Sequence, residues 1–378
     1  MTSRAFAVAA DVVFDGMTVR EHCAVMVADG RVTALARRSD VPDDMPVEKL
    51  PEGAWLAPGF IDLQVNGGGD VLFNDRPTPA GIAAIIAAHR RFGTTSMLPT
   101  LITDTEEKMR AAREAVASAM PNEPGLLGVH FEGPFLSPEK CGVHDPSLMR
   151  APNERDYDLL TSRKGGVTLV TLAPECVPKG FVQFLANNGV RVALGHSMAS
   201  YEQTKAAIAE GLTGFTHLFN AMRPMSAREP GPIAAALERD NCWYGLIADG
   251  VHVAAPMLHL ALRGRGTPVL VTDAMPPVGG IGKPFSLYGR EIVTKGERVE
   301  TKDGTLAGSG IDMATAVRNC MRLLGVNLTD ALAMASRAPA KALGLDNKLG
   351  RLASGFRADM IALDPLTVRV LTTWVAGN

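Results

Sequence analysis

From about residue 55 to residue 275 the chain alternates between short apolar runs and Ala-rich stretches with apolar residues at helical spacing. That alternation constrains the fold more than any other feature. A strand-helix-strand repeat can bury its strands only in a mainly parallel sheet covered by helices. The strand candidates read WLAPGFIDLQV, TTSMLPTLI, GLLGVHFEG, GVTLVTLAPE, VRVALGHS, GFTHLFNA, WYGLIADGV and TPVLVTDAM. Stretches such as GIAAIIAAHRRFG and SYEQTKAAIAEG lie between them. Eight such units predict an α/β fold, a (β/α)8 TIM-like barrel, whose usual length of about 250 residues is close to the span used. A doubly wound open sheet competes less well. No G-x-G-x-x-G turn follows the first strand, and polar residues gather at many strand ends.

Residues 1–54 and 345–378 read as short strands and turns, with a hairpin candidate in AVMVADGRVTALA and turn glycines in LGRLASGFRADMIALD. Neither piece alone is long enough for a stable sheet. Together they are expected to form one small β domain, with the barrel of residues 55–344 inserted between its halves. The GG and KDG turns of 278–308 predict a β insertion after the eighth strand. The 46% hydrophobic content supplies core for a barrel of this size.

Charge and cysteine usage exclude several classes. Lys+Arg at 38 against Asp+Glu at 40 leaves a net charge of -2, which argues against nucleic acid and anionic membrane surfaces as partners. No apolar run reaches the roughly 20 residues of a membrane span, and the N-terminus has no signal-peptide layout. The five dispersed cysteines read as reduced thiols, so a cytoplasmic location is expected.

Polar residues at the strand ends carry the chemistry. His130 and Glu132 share a face of GLLGVHFEGPF, and His196 ends RVALGHS in line with Val192 and Leu194. His217 ends GFTHLFNA and is followed by Asn220, and Asp273 lies in line with Val269 and Val271. Each is costly to bury alone, and each falls at the rim where barrel enzymes keep their active sites. A lone histidine at a strand end is more often structural than a ligand, but four independent polar ends outweigh that reading. A Glu, two His and an Asp from different strands can converge as three metal ligands, an open water position and a proton-moving carboxylate. In the first strand Gln64 and Asn66 stand where a metal-seeking site would place H-x-H, imidazole being far the better ligand. The pattern alone reaches a hydrolase-like metal barrel.

PGFIDLQVNGGGD, GVHFEGPFLSPEKCGVHDP, ALGHS, THLFNAM, DGVHV, VTDAM and LAGSG, in that order, resemble the N-acetylglucosamine-6-phosphate deacetylases of the amidohydrolase superfamily. The match covers nearly the whole chain. HFEGPF with the downstream His144, and THLFNAM with Arg228, are its most specific parts. The resemblance implies that Glu132, His196 and His217 hold one divalent metal ion per subunit, with zinc the expected ion. It makes Gln64 and Asn66 a vacant second-metal position and Asp273 the general base and acid. It gives His144 the developing oxyanion, and Asn220, Ala221, Arg228 and His252 the substrate. The phosphate site would be shared across a homodimer interface. The implied reaction converts N-acetylglucosamine 6-phosphate to glucosamine 6-phosphate and acetate, in amino-sugar catabolism or cell-wall recycling.

Two other readings compete. A cyclic-amide or dipeptide hydrolase would use two metals bridged by a carboxylated lysine, and GVTLVTLAPE offers no lysine. A silent scaffold barrel would have lost its ligands, yet Glu132, His196, His217 and Asp273 are all present.

Overall fold

The computed structural model describes residues 5–378. Eight strands run parallel in one sheet and follow chain order: β1 (Phe60–Val65), β2 (Thr94–Ile102), β3 (Gly128–Glu132), β4 (Val167–Leu172), β5 (Arg191–Leu194), β6 (Gly214–Phe215), β7 (Trp243–Leu246) and β8 (Thr267–Leu270). The sheet closes on itself. Val65 pairs in parallel with Ala274, the Asp273 amide donates to the Gln64 carbonyl at 3.0 Å, and the Asn66 amide donates to the Ala274 carbonyl at 2.9 Å. Helices Pro79–Arg90, Glu106–Ala119, Glu154–Thr161, Phe181–Asn187, Tyr201–Ala209, Gly231–Leu237 and Ala255–Leu262 follow the first seven strands in turn. This is the (β/α)8 barrel the alternation predicts. β1 and β2 are buried at every residue, as strands covered on both faces must be.

After β8 the chain forms a four-stranded antiparallel sheet, Phe285–Leu287, Arg290–Lys295, Arg298–Thr301 and Leu306–Ser309. Its Leu287, Ile292, Val299 and Ala307 share an apolar cluster with Leu72, Ile102, Val143 and Met275, which lie in the loops and strand ends at the barrel mouth.

The terminal segments build a separate seven-stranded sheet. Its path runs Val370–Trp374, Met360–Leu363, Trp55–Pro58, Phe6–Phe14, Val19–Ala28 and Arg31–Arg37, with Val47–Lys49 also paired to Phe6–Phe14. Both chain ends are therefore needed for one core, which includes Val8, Val25, Leu56, Met360 and Trp374. Two expected boundaries are corrected here. WLAPGFIDLQV is two strands, not one: Trp55–Pro58 joins the terminal sheet and the barrel begins at Phe60 rather than residue 55. Pro58 has no amide to give a ladder, and Gly59 breaks the run. The second correction concerns Met313–Leu324, Leu328–Ala335 and Arg337–Leu343. These helices fall in a compact unit with the terminal segments (residues up to 62, 89–96 and 312–378), not in the barrel unit (63–88 and 97–311). An amphipathic pattern reveals that a helix buries a face, but not which partner it buries it against. No helix among the described residues is long and apolar enough to cross a membrane.

The long β3–helix connection carries His144, so its anchoring matters. Arg150 closes it: its amide donates to the Pro134 carbonyl at 3.1 Å, and its guanidinium grips the fully buried Asp156 at 2.6 and 2.8 Å. Asp156 also accepts from the Asn153 amide at 2.7 Å, completing the capping box of Glu154–Thr161. Asp156→Ala would remove the cap and leave a half-buried guanidinium without its counter-ion. The expected cost is about 3 kcal/mol, read as a lower urea midpoint; an unchanged midpoint would show that the anchor carries no weight.

Candidate active site

The strand ends that carry polar residues converge over the barrel. Glu132 is the last residue of β3, whereas His196, His217 and Asp273 lie just beyond β5, β6 and β8. All three of these have left-handed backbone, with φ of 49°, 33° and 53°. Side-chain-bearing residues adopt that region at a cost and cluster there at functional sites.

Glu132, His196 and His217 form the metal-capable cluster among the described residues. The two imidazole Nε2 atoms are 3.0 Å apart, and Glu132 Oε1 lies 3.2 Å from His196 Nε2 and 3.0 Å from His217 Nε2. Donors around a tetrahedral zinc, each about 2.0–2.1 Å from the ion, stand roughly 3.4 Å from one another. The observed triangle is close to that. His196 Nδ1 donates to the Lys140 carbonyl at 2.7 Å, which fixes its tautomer and leaves the Nε2 lone pair facing the cluster. Two facing ring nitrogens and a carboxylate require positive charge between them, and a divalent cation fits this donor set. Burial alone would raise the Glu132 carboxyl, but the His196 and His217 rings set against it outweigh that and hold it well below the usual range.

Asp273 sits beside this cluster and is almost fully buried. Its Oδ1 accepts from Gln64 Nε2 at 3.0 Å and Asn66 Nδ2 at 2.6 Å, while Gln64 Nε2 also reaches Glu132 Oε2 at 3.1 Å. Ionised carboxylates only accept hydrogen bonds, so both amides must turn their nitrogens toward them. Burial, reinforced by the charge on Glu132, raises the Asp273 carboxyl, the direction a proton acceptor needs near neutral pH.

A cavity of about 350 Å³ opens above these groups. His144, Asn220, Ala221 and His252 line it, as do Thr305–Gly308 of the four-stranded insertion. The His144 ring packs against His196 with centroids 4.4 Å apart and planes tilted by 50°, and burial pushes its pKa down to about 3. Asn220 Nδ2 donates to the His217 carbonyl at 3.1 Å. Arg228 differs from the other substrate-binding candidates: it is exposed and does not line this cavity. His130 lies inside the barrel, its nitrogens 3.1 Å from Thr100 Oγ1 and 2.7 Å from Thr171 Oγ1, and burial lowers its pKa to about 4. It supports the barrel interior and is not among the clustered ligands.

Sequence reasoning missed two partners. Asp249 Oδ2 lies 2.6 Å from His252 Nδ1, and its Oδ1 caps the amides of Val251 and His252 at 2.8 and 2.9 Å. The Asp-x-x-His spacing in DGVHV was the available signal. Thr103 Oγ1 lies 2.8 Å from His144 Nδ1. A threonine just past a strand end is too common to have drawn notice.

The Amidohydrolase family model matches residues 55–378. The chain belongs to the amidohydrolase family. It is a metal-dependent hydrolytic enzyme, and its Glu/His/His cluster is of the kind such enzymes use. An N-acetylgalactosamine-6-phosphate deacetylase of Shewanella sp. (strain ANA-3) is 43% identical over 95% of this chain and 91% of its own. An N-acetylglucosamine-6-phosphate deacetylase of Mus musculus is 38% identical over 86% and 83%. The crystal structure of N-acetylglucosamine-6-phosphate deacetylase from Pasteurella multocida superposes with a TM-score of 0.94 at 34% identity, covering 99% of this chain and 98% of that one.

Proposed function

We propose that this amidohydrolase removes the acetyl group of N-acetylglucosamine 6-phosphate, releasing glucosamine 6-phosphate and acetate in cytoplasmic amino-sugar catabolism or cell-wall recycling. One observation carries the reading: a buried carboxylate, Asp273, is held by two amide donors beside a Glu/His/His cluster at the floor of a cavity. Glu132, His196 and His217 would hold one divalent ion, zinc being the ion suited to this donor set. When bound, the ion supplies Lewis-acid polarisation and lowers the pKa of water at the site.

The chain's own residues then divide the work. Asp273 uses Oδ2, the oxygen without an amide partner, to take a proton from the attacking water. It later returns that proton to the departing nitrogen, because an amine leaves far more readily than its anion. Gln64 and Asn66 keep Oδ1 occupied and the carboxylate oriented. His144 faces the carbonyl oxygen on which negative charge develops. A second cation has little to bind at the first strand: both amides present N–H to the carboxylates, and of the Asn66 donors and acceptors only Oδ1 is left unpartnered. This supports a single-ion site.

Asn220, the Ala221 backbone and His252 offer donors to the phosphate, with Asp249 orienting the His252 ring. Arg228, exposed and away from its own cavity, fits a homodimer in which the partner subunit's Arg228 completes the phosphate site. Arg228→Ala is expected to raise KM for the phosphorylated sugar by roughly 10- to 100-fold, the worth of a charge-assisted pair. The free sugar should be unaffected. Equal effects on both substrates would remove Arg228 from this role.

The deciding experiment is acetate release by zinc-loaded protein from N-acetylglucosamine 6-phosphate and from free N-acetylglucosamine. Turnover confined to the phosphorylated sugar is the expected result; none on either would refute the reading. The identity to the Shewanella enzyme favours a second substrate, the C4 epimer N-acetylgalactosamine 6-phosphate. The ratio of kcat/KM for the two epimers in the same assay ranks them.

A further inference from the structure

His144 has two ring nitrogens and only one of them is spoken for. Nδ1 lies 2.8 Å from Thr103 Oγ1, while Nε2 has no hydrogen-bond partner among the described residues and belongs to a ring that lines the cavity. Which nitrogen carries the proton decides what His144 can do. With the proton on Nε2, the ring donates toward the substrate carbonyl. With it on Nδ1, Nε2 presents a lone pair that repels the developing negative charge.

The surroundings of Thr103 favour one direction for its hydrogen bond. Its hydroxyl has one proton and two nearby acceptors, His144 Nδ1 at 2.8 Å and the Glu132 carbonyl at 3.5 Å. The second distance is at the limit of a hydrogen bond, which favours donation to Nδ1. Thr103 is fully buried, and its own carbonyl accepts from the Tyr288 hydroxyl of the four-stranded insertion. A Cβ on Gly133, whose φ is +92°, would come within 2.3 Å of the Thr103 hydroxyl oxygen. The hydroxyl therefore fills a slot that a glycine keeps open.

We propose that Thr103 is a positioning residue: it donates to His144 Nδ1, so that the imidazole carries its proton on Nε2 and can donate to the acetamide oxygen during hydrolysis. The inference rests on the deacetylase reading for its chemistry, while the tautomer itself is a property of the protein alone.

The test uses the full-length, zinc-loaded protein with Thr103→Val, which keeps the shape and removes the hydroxyl, and Thr103→Ser, which restores it. Thr103→Val should lower kcat for acetate release by up to roughly 100-fold, the scale of losing one oxyanion donor. KM should stay within about 3-fold, the mark of an interaction made in the transition state. Thr103→Ser should recover most of kcat. In a His144→Asn background Thr103→Val should cost less than about 2-fold, because residues acting as a unit are not additive. Histidine side-chain ¹⁵N spectra should show His144 protonated on Nε2 in the parent protein and in Thr103→Ser, and a shift toward Nδ1 protonation in Thr103→Val.

A full additional loss in the His144→Asn background would overturn the proposal, as would a change confined to KM. So would a parent spectrum with the proton on Nδ1. Absence of acetate release from the parent enzyme would refute the deacetylase reading instead, and the spectra would still decide the tautomer.

Discussion

Asp273→Asn is expected to lower kcat for acetate release by roughly 10³-fold, within the range that loss of a general acid-base group produces, with bound metal and thermal unfolding unchanged. The reason lies in how its two oxygens are used. Oδ1 accepts from Gln64 and Asn66 at 3.0 and 2.6 Å. In the variant the carboxamide oxygen must take that place, because its NH2 would meet two N–H donors there. The NH2 is then turned to the position of Oδ2, where the proposed reaction needs a base. Shape and hydrogen bonds survive, but the proton acceptor does not. Kinetics combined with metal analysis check the outcome. Near-parent turnover in a metal-replete variant would move the base elsewhere.

Glu132→Gln is expected to have a comparable effect through a different route. Glu132 Oε2 accepts from Gln64 Nε2 at 3.1 Å, and Oε1 lies near both His196 Nε2 and His217 Nε2. A carboxamide has one oxygen for these two duties. With the oxygen toward the histidines, its NH2 opposes the Gln64 NH2. In the other orientation the cation meets N–H instead of a lone pair. The variant also removes the negative charge that draws a divalent ion to a buried position. Metal affinity should fall by more than the roughly 100-fold seen for outer-sphere partners, and acetate release with it. Elemental analysis after dialysis reads the loss, and millimolar zinc should restore part of the activity. Full metal content at micromolar free zinc would take Glu132 out of the ligand set.

The two variants separate the tasks of the site. Asp273→Asn should be inactive with metal bound. Glu132→Gln should be inactive because the metal is lost. If both lost metal, Asp273 would be a ligand and not only a proton carrier.

Much of this architecture is legible in local pattern. Alternation of apolar strands with Ala-rich helices is a short-range signal, and it is enough for a barrel. Period-two spacing places Glu132 and His130 on one strand face, and the parallel run of the strands brings the ends carrying His196, His217 and Asp273 to the same rim. Yet the pattern does not distinguish their fates. Glu132 reaches the cluster, whereas His130, two residues earlier, sits one layer below between Thr100 and Thr171. The break at Gly59 was also hidden, because two strands of different sheets read as one apolar run.

What local pattern left open is settled by closure of the barrel. The hydrogen bonds of Gln64 and Asn66 to Asp273 span more than 200 residues and depend on the register in which β8 meets β1. No window of sequence contains that register. The same holds for Thr103 and His144, brought together by the loop that Arg150 and Asp156 anchor, and for the insertion that covers the mouth. Composition and spacing decide which groups are available at a strand's end, because side-chain direction there follows from the two-residue repeat. Which of those groups touch, and which atom of each carries the proton, follows from long-range register and burial.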